Sequence, residues 1–110
     1  MKAKRSIFAV GITAAMVFSS LPANAAGVDL KIGTIHPLTG GNADYGIGLT
    51  TAAEFAAESV TKAMKKAKVA GSCKIVASED DQATPALAVE AATKLVKSNK
   101  VHAIVGPLTS

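Results

Sequence analysis

VDLKIGTIHPLTGGNADY, residues 28–45, is the stretch that decides the fold of this chain. Residues 28–35 alternate between apolar and polar side chains and predict a β-strand. Residues 36–45 form a connection longer than the roughly two to six residues usual between a strand and a helix. In an open α/β sheet, the loops at the carboxyl ends of the strands hold the binding sites. The sequence therefore predicts that this loop contributes to a ligand site.

Alternating helix and strand signals continue to the end of the sequence. They predict further strands over residues 73–78 and 101–105 and helices over residues 45–68 and 85–98. The first helix carries an apolar stripe at helical spacing that is expected to face the sheet: Leu49, Ala52, Ala53, Ala56, Val60, Ala63 and Met64. The second helix is expected to begin at a cap formed by the side chain of Thr84.

The order strand, helix, strand, helix, strand predicts an α/β fold with a parallel sheet covered by helices. Right-handed crossovers place the second and third strands on either side of the first, which gives the order 2-1-3 with helices on both faces. The third strand, residues 101–105, is apolar enough that we expect it to be buried on both faces. The first and third strands then flank a topological switch point, where residues 36–45 and 106–110 leave a crevice.

The two loops at this crevice carry hydroxyl groups and backbone N–H groups. The hydroxyls belong to Thr39, Tyr45, Thr109 and Ser110. The N–H groups lie near Gly40, Gly41 and the start of the first helix, and they suit an anion such as a carboxylate. Neutral hydroxyls would orient a ligand without leaving a buried charge. The spacing leaves open whether Tyr45 and the glycines contact a ligand or only pack and turn.

Residues 1–25 have the form of a cleavable secretory signal peptide. Three basic residues precede an apolar run of 12 residues, 7–18, which is shorter than the ~20 residues that span a bilayer. An A-x-A motif follows, and we expect cleavage after Ala25. An uncleaved membrane anchor is the alternative, which the short run disfavours. The signal predicts a soluble protein of the periplasm.

The charge balance gives no indication of a nucleic-acid partner. The chain has 12 basic and 8 acidic residues, but three of the basic ones and no acidic one lie in the signal peptide. Residues 26–110 therefore carry 9 basic against 8 acidic side chains. These 85 residues would bury only a modest core. We interpret them as the first part of a longer protein, with a complete small domain as the alternative.

The motifs of nucleotide enzymes are incomplete in this sequence. Gly46 and Gly48 lack the third glycine of the dinucleotide-binding fingerprint. A phosphate-binding loop that began at Gly41 would need lysine where Ile47 stands. Neither histidine has a serine or cysteine partner that indicates nucleophilic catalysis. No enzymatic activity and no cofactor is predicted.

An acidic run, Glu79, Asp80 and Asp81, follows the second strand. Such oxygens bind hard cations. Because no further acidic residue has suitable spacing, a solvated or capping loop is favoured over a metal site. His36 and His102 are expected at opposite ends of the sheet, where they cannot share a metal ion.

Four motifs occur in register along the chain: I-x-P-L-T-G at residues 35–40, A-D-Y-G at 43–46, E-D-D-Q-A-T-P at 79–85 and A-I-V-G-P-L-T-S at 103–110. In this order and at these separations they resemble the N-terminal lobe of the leucine-type substrate-binding proteins. That family has the type I periplasmic binding-protein fold and serves ABC importers of branched-chain and other hydrophobic amino acids. The resemblance covers essentially all of residues 26–110.

The resemblance implies a monomeric, two-lobed protein whose lobes close on a ligand before docking on a membrane permease. It implies that Tyr45 and Ser110 contact the ligand, the serine at its α-carboxylate, and that Leu108 lines the pocket nearby. Thr109, a hydroxyl of the predicted crevice, is a further candidate for ligand binding. Relatives with this fold also bind amides, urea or aromatic acids, and the fragment does not separate these ligands. Two other classes stay open: an exported α/β hydrolase, and the sensing domain of a receptor for an amide, urea or small carboxylate.

The sequence departs from the family pattern at several positions. Some relatives have a disulfide where this chain has Ala83 and Thr109. His36 stands where small or apolar residues are common; we interpret it as a surface turn residue, with a position near the ligand entrance as the alternative. Cys73, the only cysteine, is interpreted as a small buried apolar residue. A pairing of Cys73 with a cysteine elsewhere in a longer protein stays open.

Overall fold

The computed structural model describes residues 26–109, so the predicted signal peptide, residues 1–25, and Ser110 lie outside the described residues. The elements are β1 (Val28–His36), α1 (Ala43–Lys66), β2 (Gly71–Asp80), α2 (Pro85–Lys97) and β3 (Ala103–Val105). All five predicted elements are present in the predicted order. No helix within residues 26–109 is both long enough and apolar enough to cross a bilayer.

The three strands form a parallel sheet in the order β2-β1-β3, which confirms the predicted topology. The helices cover opposite faces of this sheet. On one face, Thr50 and Thr61 of α1 bond to His36 of β1 and to Cys73 of β2. On the other, Leu95 of α2 packs in the buried cluster. The chain therefore has the predicted α/β fold with helices on both faces.

The buried core lies between α2 and the sheet. Ile35, Ala91 and Leu95 are its buried members. Half-buried apolar residues surround them: Ala77, Ala88, Ala92, Val101 and Ile104. This cluster joins the end of β1 to the middle of α2, so the first strand and the second helix hold each other in place.

On the other face, α1 lies across β1 and β2 and covers the free edge of β2. The Thr61 hydroxyl accepts a hydrogen bond from Cys73 N at 2.9 Å and donates one to Cys73 O at 2.8 Å. Unpaired backbone groups on an edge strand are a template for unwanted pairing, and this side chain satisfies two of them. Cys73 itself is buried, as the sequence predicts for a small apolar residue.

The apolar stripe predicted for α1 is rotated relative to the sheet. Gly46 and Ala57 are buried, and Ala53 and Met64 are half-buried. The other stripe residues are exposed: Leu49, Ala52, Ala56, Val60 and Ala63. Burial of these five residues is not observed, because the closely packed side of α1 is turned towards β2; Ala56 and Val60 nevertheless line an apolar cavity with Ile32 and Ile75 of the sheet.

The third strand is not buried on both faces within the described residues, contrary to the prediction. Ala103 and Val105 are exposed and Ile104 is half-buried. β3 pairs only with β1, and α1 leans towards β2, so the face of β3 on the α1 side has no cover. Val105 instead borders an apolar cavity together with Ala56 and Val60 of α1.

β2 is longer than predicted and contains a bulge. Its register against β1 shifts after Ile75, so that Val76 has no partner and Ala77 pairs with Gly33. One inserted residue reverses which side chains face which helix. As a result, Glu79 faces α2 and its carboxylate pairs with Lys94 Nζ at 2.9 Å. Glu79 and Asp80, predicted in a loop, are therefore the last residues of the strand.

The second helix begins at the predicted position but without the predicted cap. Thr84 precedes Pro85, which occupies the start of the helix. The Thr84 hydroxyl donates to Asp81 O at 3.0 Å and accepts nothing from the first turn of α2. The prediction of a side-chain cap is wrong: the Thr84 hydroxyl bonds to the carbonyl of the preceding turn and not to the N–H groups of α2.

We predict that Thr34→Val stabilises the full-length protein. Thr34 is 0% exposed in the middle of β1, and its hydroxyl has no hydrogen-bond partner among the described residues. A buried hydroxyl without a partner is unfavourable by about 1–3 kcal/mol, and valine has nearly the same shape without it. Urea unfolding should show a gain of ~1 kcal/mol for Thr34→Val. Thr34→Ala, which also removes a methyl group, should show no such gain. A loss of stability in Thr34→Val would contradict the conclusion that the Thr34 hydroxyl has no hydrogen-bond partner.

Candidate functional site

A crevice opens at the carboxyl edge of the sheet, between the loops that follow the three strands. Its volume is about 470 Å³, which is in the range of small-molecule sites. Asn42 lines it from the β1–α1 loop, Asp81 and Thr84 from the β2–α2 loop, and Pro107 and Thr109 from the segment after β3. The two loops that the sequence predicts to share a switch point therefore meet in one crevice.

The predicted ligand contacts occupy different positions relative to this crevice. Thr109 lines it. Leu108 is 38% exposed, and Tyr45, in the first turn of α1, is 69% exposed; neither lines the crevice. Ser110 lies outside the described residues. The structure thus brings Thr109 into the crevice and places Tyr45 on the solvent side of α1.

Two close backbone approaches build the rim of the crevice. A Cβ atom at Gly46 would lie 1.9 Å from Pro37 O, so only glycine allows the first turn of α1 to approach the β1 loop. A Cβ atom at Gly106 would lie 2.0 Å from Ile35 O, and this residue has φ +118°, which also favours glycine. Both glycines belong to the motifs that identify the family resemblance.

Asp80 holds the β1–α1 loop against the end of β2. Its Oδ1 accepts hydrogen bonds from Leu38 N at 2.8 Å and from Gln82 N at 2.9 Å. Its Oδ2 accepts one from the Thr39 hydroxyl. These donors, the Thr39 hydroxyl above all, lower the pKa of the Asp80 carboxyl, because they stabilise its charged form. Asp80 is therefore a latch between two of the three loops.

Asp81 is buried beside the crevice, where sequence reasoning expected a solvated or capping loop. The residue is 1% exposed. Its Oδ1 accepts a hydrogen bond from Ala83 N at 2.9 Å, and its backbone N–H donates to His36 O at 3.3 Å. Asp80 and Asp81 each accept the N–H group two residues further on, so the prediction of a capping loop is confirmed. The prediction of a solvated loop is wrong for Asp81, because its turn folds inward against the end of β1.

His36 is also buried, and the interpretation as a surface turn residue is wrong. It is the last residue of β1 and 2% exposed. Its Nδ1 forms a hydrogen bond with the Thr50 hydroxyl of α1 at 2.9 Å. Burial lowers the pKa of this imidazole, and the charge of Asp81 opposes the shift only in part.

The two histidines lie at opposite ends of β1, as the sequence predicts. His102 N donates to Lys31 O at 2.7 Å, and Lys31 N donates to His102 Nδ1 at 3.0 Å, far along the strand from His36. Within residues 26–109, no three His, Cys, Asp or Glu side chains are grouped closely enough to hold a metal ion.

Sequence reasoning missed several residues of this site. Asn42 and Asp81 line the crevice, and Asp80 and His36 support its loops. The signal for the aspartates was present in the E-D-D-Q-A-T-P motif, whose position after a strand marks the same edge of the sheet. Nothing in the local sequence indicates that His36 turns inward, because its partner Thr50 lies fourteen positions away.

Comparisons with known proteins agree with this architecture. The profile of the family described as periplasmic binding protein matches residues 29–110. The chain is 35% identical over 99 residues to the Leu/Ile/Val-binding protein BraC3 of Rhizobium johnstonii. That alignment covers 90% of this chain and 26% of the relative, so the chain spans about a quarter of the relative's length. No solved structure matches the chain.

Ala83 of the β2–α2 loop and Thr109 of the segment after β3 both line the crevice. A parallel sheet in the order β2-β1-β3, a crevice at its switch point and a family profile that spans nearly all of the described residues lead to one assignment. The chain belongs to the periplasmic binding protein family.

Proposed function

We propose that this chain is the first part of the N-terminal lobe of a solute-binding protein that captures a branched-chain or other hydrophobic amino acid for an ABC importer. One observation carries the proposal. The loops after β1, β2 and β3 converge on a single crevice in a chain that belongs to the periplasmic binding protein family. The name of the relative, a Leu/Ile/Val-binding protein, supports an amino acid as the ligand.

The chemistry of the crevice suits a small carboxylate with an apolar side chain. Thr84 does not cap α2, so the N–H groups of the first turn of that helix are free for an anion. The Thr109 hydroxyl lines the same space, and Ser110 follows it in sequence. Ala88 and Pro107 supply apolar surface. A second lobe, which closes over the ligand, would supply the rest of the site.

The proposed setting is the bacterial periplasm. Residues 1–25 act as a cleavable signal peptide in this proposal, and the closed, ligand-bound protein is a monomer that docks on an ABC permease of the inner membrane. Binding requires no cofactor, no metal ion and no nucleic acid, and no reaction is catalysed. Energy for capture comes from hydrogen bonds to the ligand carboxylate and from burial of its apolar side chain.

The amino-acid specificity has a direct test. Thermal unfolding of the full-length protein should shift upwards in the presence of leucine, isoleucine or valine, because a ligand that binds only the folded state stabilises it. Each of the protein amino acids is compared at the same concentration, with acetate as a control for the carboxylate alone. Absence of any stabilisation by the whole set would contradict the proposed ligand class.

We predict that Ser110→Ala and Tyr45→Ala each weaken leucine binding by the full-length protein without unfolding it. Loss of one hydrogen bond to a charged group should weaken binding by roughly 1.5–3 kcal/mol. Isothermal titration calorimetry measures the affinity. Ser59→Ala is the matched control, because the Ser59 hydroxyl lies on α1 and donates only to Phe55 O. An unchanged affinity in either variant would refute the binding function of that residue.

We predict that Asp80→Ala weakens leucine binding several-fold, because Leu38 N and the Thr39 hydroxyl lose the acceptor that orders the loop. Asp80→Asn should lie between this variant and the wild type, since its amide nitrogen cannot accept from Thr39. Asp29→Ala is the control: that carboxylate accepts from the Ser72 hydroxyl at the opposite end of the sheet.

The pH dependence of the Asp80 latch has a definite sign. Its pKa is lower in the folded protein than the ordinary 3.8, so its contribution to stability is present above that value. The contribution is lost as the pH falls through the lowered pKa.

The Asp80→Ala prediction would be contradicted by equal affinities of this variant and the wild type for leucine at neutral pH. That result would show that the hydrogen bonds of Asp80 are not needed for ligand binding.

A further inference from the structure

His36 touches all three loops that form the crevice. It ends β1, its Nδ1 bonds to the Thr50 hydroxyl of α1 at 2.9 Å, and its carbonyl oxygen accepts the N–H of Asp81 at 3.3 Å. On the third side, a Cβ atom at Gly106 would lie 3.3 Å from His36 Cδ2. The side chain is 2% exposed. The imidazole therefore ties the end of β1 to α1, and the backbone of the same residue holds the start of the β2–α2 loop beside the crevice.

The surroundings of this imidazole favour its neutral form. From α1 it faces Thr50, and from the turn after β3 it faces Gly106, neither of which ionises. From the β2–α2 loop it faces Asp81, the charged group that acts on it. The neighbouring Asp80 is engaged by Leu38, Thr39 and Gln82 instead. A single carboxylate, already bonded to Ala83 N, replaces only part of the hydration that a buried imidazolium loses.

We propose that His36 is a proton-sensitive positioning residue: its neutral imidazole holds the end of β1 against α1 behind the crevice, and its protonation loosens this contact and weakens ligand capture in acid. The inference rests on the proposed function for its ligand, although the side chain itself does not line the crevice. It acts on the ligand through the end of β1, where the β1–α1 loop begins.

The sign of the effect follows from the preference for the neutral form. Burial lowers the pKa of His36 below the ordinary 6.5 in the packed lobe, whereas a loosened lobe returns the ring to water. Protons therefore bind more tightly to the loosened state. The stabilising contribution of His36 is fully present above the ordinary pKa and decreases as the pH falls below it towards the lowered pKa. Tight ligand binding should follow the same course.

The experiment is a leucine titration of the full-length protein by calorimetry between about pH 7.5 and pH 5, the range in which histidine titrates. The affinity of the wild type should fall with decreasing pH, by at most about tenfold per pH unit, which is the limit for one linked proton. His36→Asn places an amide close to the position of Nδ1 and cannot take up a proton. It should bind leucine more weakly than the wild type at about pH 7.5 and show a flat pH profile.

His102→Asn is the matched control, because His102 uses the same Nδ1 atom in a hydrogen bond to Lys31 N but is exposed at the other end of β1. This variant should keep the pH profile of the wild type. A flat profile in the wild type, a rise in affinity with acid, or an unchanged slope in His36→Asn would overturn the proposal.

A second measurement separates this proposal from the proposed function. NMR of the ligand-free, full-length protein gives the pKa of the His36 ring directly, and thermal unfolding across the same pH range gives its effect on stability. Both readouts are independent of the identity of the ligand and of whether His36→Asn folds. A His36 ring that titrates at or above the ordinary value in the wild type overturns the proposal, even where leucine binds. A lowered pKa of His36 together with no binding of any amino acid would contradict the proposed function but not the proposal for His36.

Discussion

The end of β1 is the constraint on which the rest of this structure depends. β2 and β3 pair with this strand on either side. The first turn of α1 and the turn after β3 then approach the carbonyl groups of Pro37 and Ile35 so closely that glycine is required at positions 46 and 106. These backbone contacts bring together loops that are separated by some sixty residues of sequence. The crevice is their consequence, since the helices leave the sheet in opposite directions and the loops diverge above its edge.

The charged residues at this edge of the sheet form their contacts with other parts of the protein. Glu79, Asp80 and Asp81 are adjacent in sequence, yet each has a different partner: Lys94 of α2, the β1–α1 loop and the backbone of Ala83. The bulge at Val76 distributes them, because it sets which carboxylate faces α2 and which faces the loop. The Thr39 hydroxyl and the neighbouring backbone N–H groups lower the pKa of the Asp80 carboxyl, and the same bonds order the β1–α1 loop. Such order preorganises a binding site and reduces the entropy lost when a ligand binds.

The other side of the molecule has the character of a partial lobe. Val60 of α1 and Val105 of β3 are exposed and border the same apolar cavity. In a parallel sheet both faces are normally covered, so an uncovered face beside an edge strand marks a surface that further structure would bury. The chain spans 26% of the length of its relative, which leaves ample sequence for that purpose in a protein of the relative's size.

The sequence by itself determined the order of the five elements, the parallel 2-1-3 sheet and the loops that meet at the crevice. It did so because helical and strand periodicity are local, and because right-handed crossovers leave few topologies. Only the tertiary structure decided the inward positions of His36 and Asp81, the side of α1 that faces the sheet and the partner of Thr84. The position of His36 depends on its hydrogen bond to Thr50, which joins positions fourteen apart. The position of Asp81 depends on the bond from its backbone N–H to His36 O on the neighbouring strand. No local pattern specifies either partner.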